Sequence, residues 1–116
     1  MIQHKTIEAN IYKYSGWIKD IHPIELKEIF TTLLDESTFT ILSFSEYAFP
    51  VEGYSAIWLL GESHLALHSF PNKETCYIEL SSCNKNKMDS FIIAVVKEER
   101  IHVIKDEKQN SSLEGQ

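Results

Sequence analysis

Ser63 stands between Glu62 and His64, with Ser55 upstream and His68 and Cys83 downstream. Gly61 and Glu62 just before it separate two strand-like runs, so the serine lies in or beside a turn. A serine held in a tight turn has an uncommon option: its hydroxyl oxygen can attack the carbonyl carbon of its own preceding peptide bond, here that of Glu62, and convert the amide to an ester. Such a step needs an acid and a base, for which His68 and Cys83 are the right types, while Ser55 can polarise or hold the ester. Each residue also has an ordinary structural use: a turn serine bonds to nearby backbone, a strand cysteine packs as a small hydrophobe, and Phe49 belongs in a core. His64 and His68 share a strand face at their even spacing, but no third ligand at metal-binding spacing accompanies them, so no metal is expected.

Jointly, the run Gly61-Glu62-Ser63-His64-Leu65-Ala66-Leu67-His68-Ser69-Phe70-Pro71, with Ser55 before it and Cys83 after it, resembles the bacterial and archaeal S-adenosylmethionine decarboxylases. These enzymes make a pyruvoyl cofactor from their own backbone. The resemblance implies that Ser63 is the pyruvoyl precursor. After the ester forms, loss of the Ser63 Cα proton would expel the Glu62 carboxylate and leave dehydroalanine, which tautomerises and hydrolyses to the keto group. The chain would then exist as residues 1–62 and 63–116, with Glu62 at the new carboxyl end. A pyruvoyl group condenses with a substrate amine and acts as an electron sink for loss of carbon dioxide. By the same resemblance, His68 and Ser55 assist processing, Cys83 protonates the decarboxylated intermediate, and Phe49 stacks on an adenine ring, where aromatic faces also suit a sulfonium cation.

The sequence departs from the family pattern at two places. Phe70-Pro71-Asn72 stands where family members usually carry Trp-Pro-Glu, so the glutamate expected to grip the ribose hydroxyls is replaced by the neutral Asn72. Glu79-Leu80-Ser81-Ser82-Cys83-Asn84 replaces the usual Asp-Leu-Phe-Thr-Cys-Gly, which puts Asn84 where a glycine could serve a special backbone shape. The implied activity is decarboxylation of S-adenosylmethionine to the aminopropyl donor for spermidine synthesis, with Phe49, Phe70 and Asn72 at the substrate. Two alternatives stand beside it. One is a pyruvoyl-dependent arginine or ornithine decarboxylase, which the loss of the glutamate would fit; the other is a non-processing regulatory partner of an active paralogue.

These residues need elements to hold them. Alternation over Ile7 to Ile11 predicts a first strand. Pro23 can open a helix, and Leu26, Ile29, Phe30, Leu33 and Leu34 then recur at helical spacing. Thr38 to Tyr47 reads as a strand ahead of the turn-forming Pro50-Val51-Glu52-Gly53. Ser55 to Leu60 and His64 to Phe70 form two more, and Pro71-Asn72-Lys73 makes a break before a strand from Thr75 to Ser82. Met88, Phe91, Ile92, Val95 and Val96 mark a second helix, followed by a short strand at Arg100 to Ile104. This order predicts an α+β two-layer sandwich, an antiparallel sheet with helices on one face, spanning residues 1–104, with 105–116 as a polar disordered tail. A sheet covered on one side leaves its other face to be buried, and the resemblance implies a homodimer stacked as a four-layer α/β/β/α sandwich, its active sites near the interface and receiving residues from both protomers.

Composition narrows the classes. With 116 residues and 43% hydrophobic content there is material for one core. A net charge of −6 argues against a nucleic-acid partner, which needs clustered Lys and Arg, and suits a cationic small molecule. Apolar stretches such as Ala56 to Leu60 are far below the roughly 20 residues of a membrane span, and the start lacks a signal region, so a cytoplasmic location is expected. Cys76 and Cys83, seven apart, fit neither a zinc pattern nor a secreted disulfide framework.

Overall fold

The computed structural model describes residues 10–51 and 53–104. Six strands and two helices follow in the order β1 (Tyr12–Lys19), α1 (Pro23–Glu36), β2 (Ile41–Ala48), β3 (Tyr54–Leu60), β4 (Ser63–Phe70), β5 (Thr75–Ser82), α2 (Lys85–Lys97) and β6 (Val103–Ile104). The strands form one sheet in the order β2-β3-β4-β5-β1-β6, and every neighbouring pair is antiparallel. This is the expected α+β architecture.

Helix α1 begins where Pro23, at its first position, loses nothing by lacking an N–H, and His22 Nδ1 accepts from the Ile24 amide at 3.2 Å. It ends at Ser37, whose hydroxyl donates back to the Leu33 carbonyl at 2.7 Å. Its stripe Leu26, Ile29, Phe30, Leu33 and Leu34 is buried, as is Met88, Phe91 and Val95 of α2. Phe30 touches both Trp58 of β3 and Phe91 of α2, and Phe91 reaches Tyr14 of β1. Trp58, Leu65, Leu80 and Tyr14 stand side by side across four strands. Both helices therefore cover the same sheet face. The buried indole of Trp58 donates to Thr31 Oγ1 at 3.0 Å, which removes the cost of an unpaired donor in the core.

Among the described residues, no helix lies on the opposite face. Tyr47, Ser55, His68, Tyr77 and Trp17 run across it in register, with Ile57, Leu59, His64 and Ala66 further along β3 and β4. Several are large and apolar yet exposed: Ile57, Leu59, Tyr47 and Phe70 are 44%, 50%, 58% and 41% accessible.

The first strand differs from expectation. Residues 7–9 lie outside the described residues, and Asn10 and Ile11 belong to no strand. β1 runs instead from Tyr12, with Tyr14 and Ile18 toward the helices and Lys13, Ser15, Trp17 and Lys19 on the open face. Bulky amphipathic rings on both faces blur its period of two, whereas the Ile-Ala-Ile alternation before it looked cleaner. The last strand is also shorter than expected, because only Val103 and Ile104 pair with β1. The expected tail at 105–116 lies outside the described residues. Among them, no helix is long and apolar enough to cross a membrane.

Phe30 joins both helices to the sheet, so Phe30→Ala is expected to lower unfolding free energy by about 3–5 kcal/mol, measured by urea denaturation of the purified protein.

Candidate active site

β3 and β4 are joined by only Gly61 and Glu62, since Leu60 pairs directly with Ser63. Glu62 closes this turn with φ of 59°, a left-handed conformation that costs a residue with a side chain about 1–2 kcal/mol. The Gly61 amide donates to the Thr40 carbonyl at 3.2 Å and ties the turn to the chain entering β2. Ser63 is thus the first residue of β4, adjoining the turn, and it is 8% exposed.

Cys83 follows β5 and is exposed; its thiol donates to the Glu62 carbonyl oxygen at 3.6 Å. That carbonyl is the one a Ser63 hydroxyl would attack, and a donor on its oxygen makes its carbon more electrophilic. The Ser63 hydroxyl donates to Ser82 Oγ at 2.8 Å. Ser82 Oγ also accepts from the Asn84 amide at 3.0 Å, and Asn84 Oδ1 caps α2 by accepting from the Lys87 amide at 3.0 Å. Asn84 has φ of −106°, an ordinary extended backbone, so the anticipated need for a glycine shape does not arise here. The asparagine instead supplies a helix N-cap.

A second group lies at the other end of the same strands. Ser55 Oγ and His68 Nδ1 are 2.8 Å apart on facing positions of β3 and β4. With Phe49, Ser69 and Phe70 they line a recess of about 300 Å³. Phe49 is held there by the turn ahead of β3: its amide donates to the Gly53 carbonyl at 3.0 Å. Gly53 has φ of 113°, and an added Cβ would meet the Phe49 ring at 3.3 Å, so glycine serves both backbone and packing there. Tyr54 donates to Glu46 at 2.7 Å; this bond and Lys27 beside it hold the Glu46 carboxyl below its usual range and brace β2 against β3. Asn72 sits exposed in the short 3-10 turn Pro71–Lys73, two residues beyond Phe70.

The eight residues singled out from sequence therefore divide into two sets. Glu62, Ser63 and Cys83 come together at the β3–β4 turn. Ser55, His68, Phe49 and Phe70 gather at the far end, with Asn72 next to them in the chain. His68 is five residues from Ser63, roughly 17 Å along a strand at about 3.4 Å per residue, and faces the other side of the sheet. One chain does not bring His68 and Ser55 to Ser63. In the sequence Ser82 stands out only as part of the motif around Cys83; its pairing with Ser63 depends on strand register, which local sequence does not display. Among the described residues, no three His, Cys, Asp or Glu side chains are grouped to hold a metal ion.

Glu62, Ser63 and Cys83, with the thiol on the Glu62 carbonyl oxygen, form a cluster of candidate catalytic groups beside a two-residue hairpin turn. The family model described as S-adenosylmethionine decarboxylase matches residues 6–107. Over 90 residues the chain is 28% identical to S-adenosylmethionine decarboxylase proenzyme 2 of Bacillus cereus, an overlap of 74% of this chain and 72% of that protein. It is 26% identical over 74 residues to the S-adenosylmethionine decarboxylase proenzyme of Parasynechococcus marenigrum, an overlap of 64% of this chain and 58% of that one. The crystal structure of the adenosylmethionine decarboxylase from Aquifex aeolicus shares the fold, with a TM-score of 0.61 at 16% identity over 87% of this chain and 97% of that chain. The match across residues 6–107 means that the chain belongs to the S-adenosylmethionine decarboxylase family, a family of carboxy-lyases.

The two thiols differ in kind. Burial pushes the Cys76 thiol up to about 12, so it stays protonated and shielded at neutral pH, whereas Cys83 is exposed. Iodoacetamide applied to the native protein at pH 8 is expected to alkylate Cys83 well before Cys76, as read by peptide mass spectrometry; equal labelling would contradict the described packing.

Proposed function

We propose that the chain is a proenzyme that cleaves itself between Glu62 and Ser63 and then decarboxylates S-adenosylmethionine to the aminopropyl donor for polyamine synthesis. The observation that carries this reading is the hydrogen bond from Cys83 to the Glu62 carbonyl, at a left-handed residue immediately before a shielded serine. Strain in the residue whose carbonyl is attacked, polarisation of that carbonyl and a fixed neighbouring hydroxyl all favour conversion of the amide to the ester. The residues present fit a pyruvoyl group derived from Ser63, which supplies an electron sink for the leaving carboxylate's electrons. Cys83, already beside the Glu62–Ser63 link, is the acid within reach to return a proton at that position.

The division of the site supports a homodimer. If Ser55 and His68 assist cleavage at Ser63, they act on the serine of a second copy, because their own lies roughly 17 Å away on the opposite face. The open face, with exposed Tyr47, Ile57, Leu59 and Phe70, is the surface that a second sheet would cover, giving the α/β/β/α arrangement. Each composite site would then take Glu62, Ser63 and Cys83 from one protomer and Phe49, Ser55, His68, Phe70 and Asn72 from the other. Phe49 and Phe70 offer ring faces to an adenine or a sulfonium cation.

Asn72 favours a second reading of the substrate. A neutral amide grips two hydroxyls less firmly than a carboxylate, so an arginine or ornithine decarboxylase uses the same machinery with fewer departures.

Two experiments check these points. Co-expressed Ser63→Ala and His68→Ala chains, each inert alone, are expected to cleave nearly all of the His68→Ala copies held in mixed dimers and none of the Ser63→Ala copies, since the one whole composite site of each mixed dimer contains the Ser63 of its His68→Ala chain; no fragments on a denaturing gel would place the assistance within one chain. Carbon dioxide release from S-adenosylmethionine, arginine and ornithine, measured separately, is expected only with the first, and to rise in Asn72→Glu; release from either amino acid instead selects the second reading.

A further inference from the structure

We infer that Ser82 is a working part of the cleavage apparatus, the group that holds the Ser63 hydroxyl ready for attack. This rests on the self-cleavage proposed above. Ser63 and Ser82 are direct partners in the β4–β5 ladder, so their side chains leave the sheet on the same side by backbone register alone. Their hydroxyls are 2.8 Å apart, and Ser82 is 1% exposed, which keeps water from competing for the contact.

Direction matters here. A hydroxyl oxygen has two acceptor positions. On Ser82 one receives the Asn84 amide and the other receives the Ser63 hydroxyl. The Asn84 bond fixes Ser82, and Asn84 is itself fixed as the N-cap of α2. The Ser63 hydrogen thus points at Ser82, which leaves the lone pairs of Ser63 Oγ free for the Glu62 carbonyl carbon. In the step that follows, the bond from Ser63 Oγ to the Glu62 carbonyl carbon forms and the bond from that carbon to the Ser63 nitrogen breaks. The hydroxyl proton ends on that nitrogen, so the rearrangement balances without any co-reactant. Ser82 thereby complements Cys83: one orients the nucleophile and the other polarises the electrophile.

The test follows self-cleavage by intact-mass spectrometry in wild type, Ser82→Ala and Ser82→Thr. Loss of one hydrogen bond to the attacking oxygen is expected to slow cleavage about tenfold in Ser82→Ala, with substantial recovery in Ser82→Thr, which keeps the hydroxyl. Melting temperatures of both variants in the uncleavable Ser63→Ala background are expected to stay near that of Ser63→Ala alone. Wild-type rates in Ser82→Ala overturn the inference while leaving self-cleavage standing. So does slow cleavage that tracks a collapse in melting temperature, or a Ser82→Thr chain as slow as Ser82→Ala although equally stable. A wild-type chain that never cleaves overturns the self-cleavage reading and this inference together.

Discussion

A β-strand sends successive side chains to opposite faces, and β4 carries Ser63 and His68 an odd number of residues apart. That parity governs the molecule. Ser63 turns toward the helices, where it is shielded and held by Ser82, while His68 turns to the open face and bonds Ser55. No side-chain rotation can bring the two together, because the strand between them is locked by β3 and β5 on either side. The fold thus places the candidate residues in two groups on opposite sides of the sheet and leaves Tyr47, Ile57, Leu59 and Phe70 exposed on the face that carries His68.

The hairpin at Gly61-Glu62 shows how a local shape can be chemical. A loop of two residues leaves no slack, and the left-handed Glu62 completes the reversal. The same reversal turns the Glu62 carbonyl toward Cys83 at the end of β5. Asn84 then links this corner to α2, so the helix that buries Met88, Phe91 and Val95 also steadies the residues around Ser63. Core packing and site geometry are one structure at this corner.

Much of this was legible in the residues. Both helices announced themselves by apolar spacing, β5 was bounded correctly by the Pro71-Asn72-Lys73 break, and β3 and β4 stood out as strand-like runs on either side of Gly61 and Glu62. β1 was misplaced since Tyr12, Tyr14 and Trp17 occupy both of its faces. The candidate residues were identifiable by type and spacing, yet their separation into two groups was not. It depends on strand parity combined with pairing register, and on which face the helices cover, none of which a single stretch of sequence contains. Asn84 was read for the glycine it replaces, and only the α2 amide it caps explains its presence.

The strand order has one more result. A cut after Glu62 assigns β1, α1, β2 and β3 to one piece and β4, β5, α2 and β6 to the other. In the sheet, β1 lies between β5 and β6, while β3 lies against β4. Each piece is therefore threaded through the other, and three separate backbone ladders would have to open before they could part. A protein severed at that point would stay interlocked by its own topology, so a broken covalent chain need not mean a looser molecule.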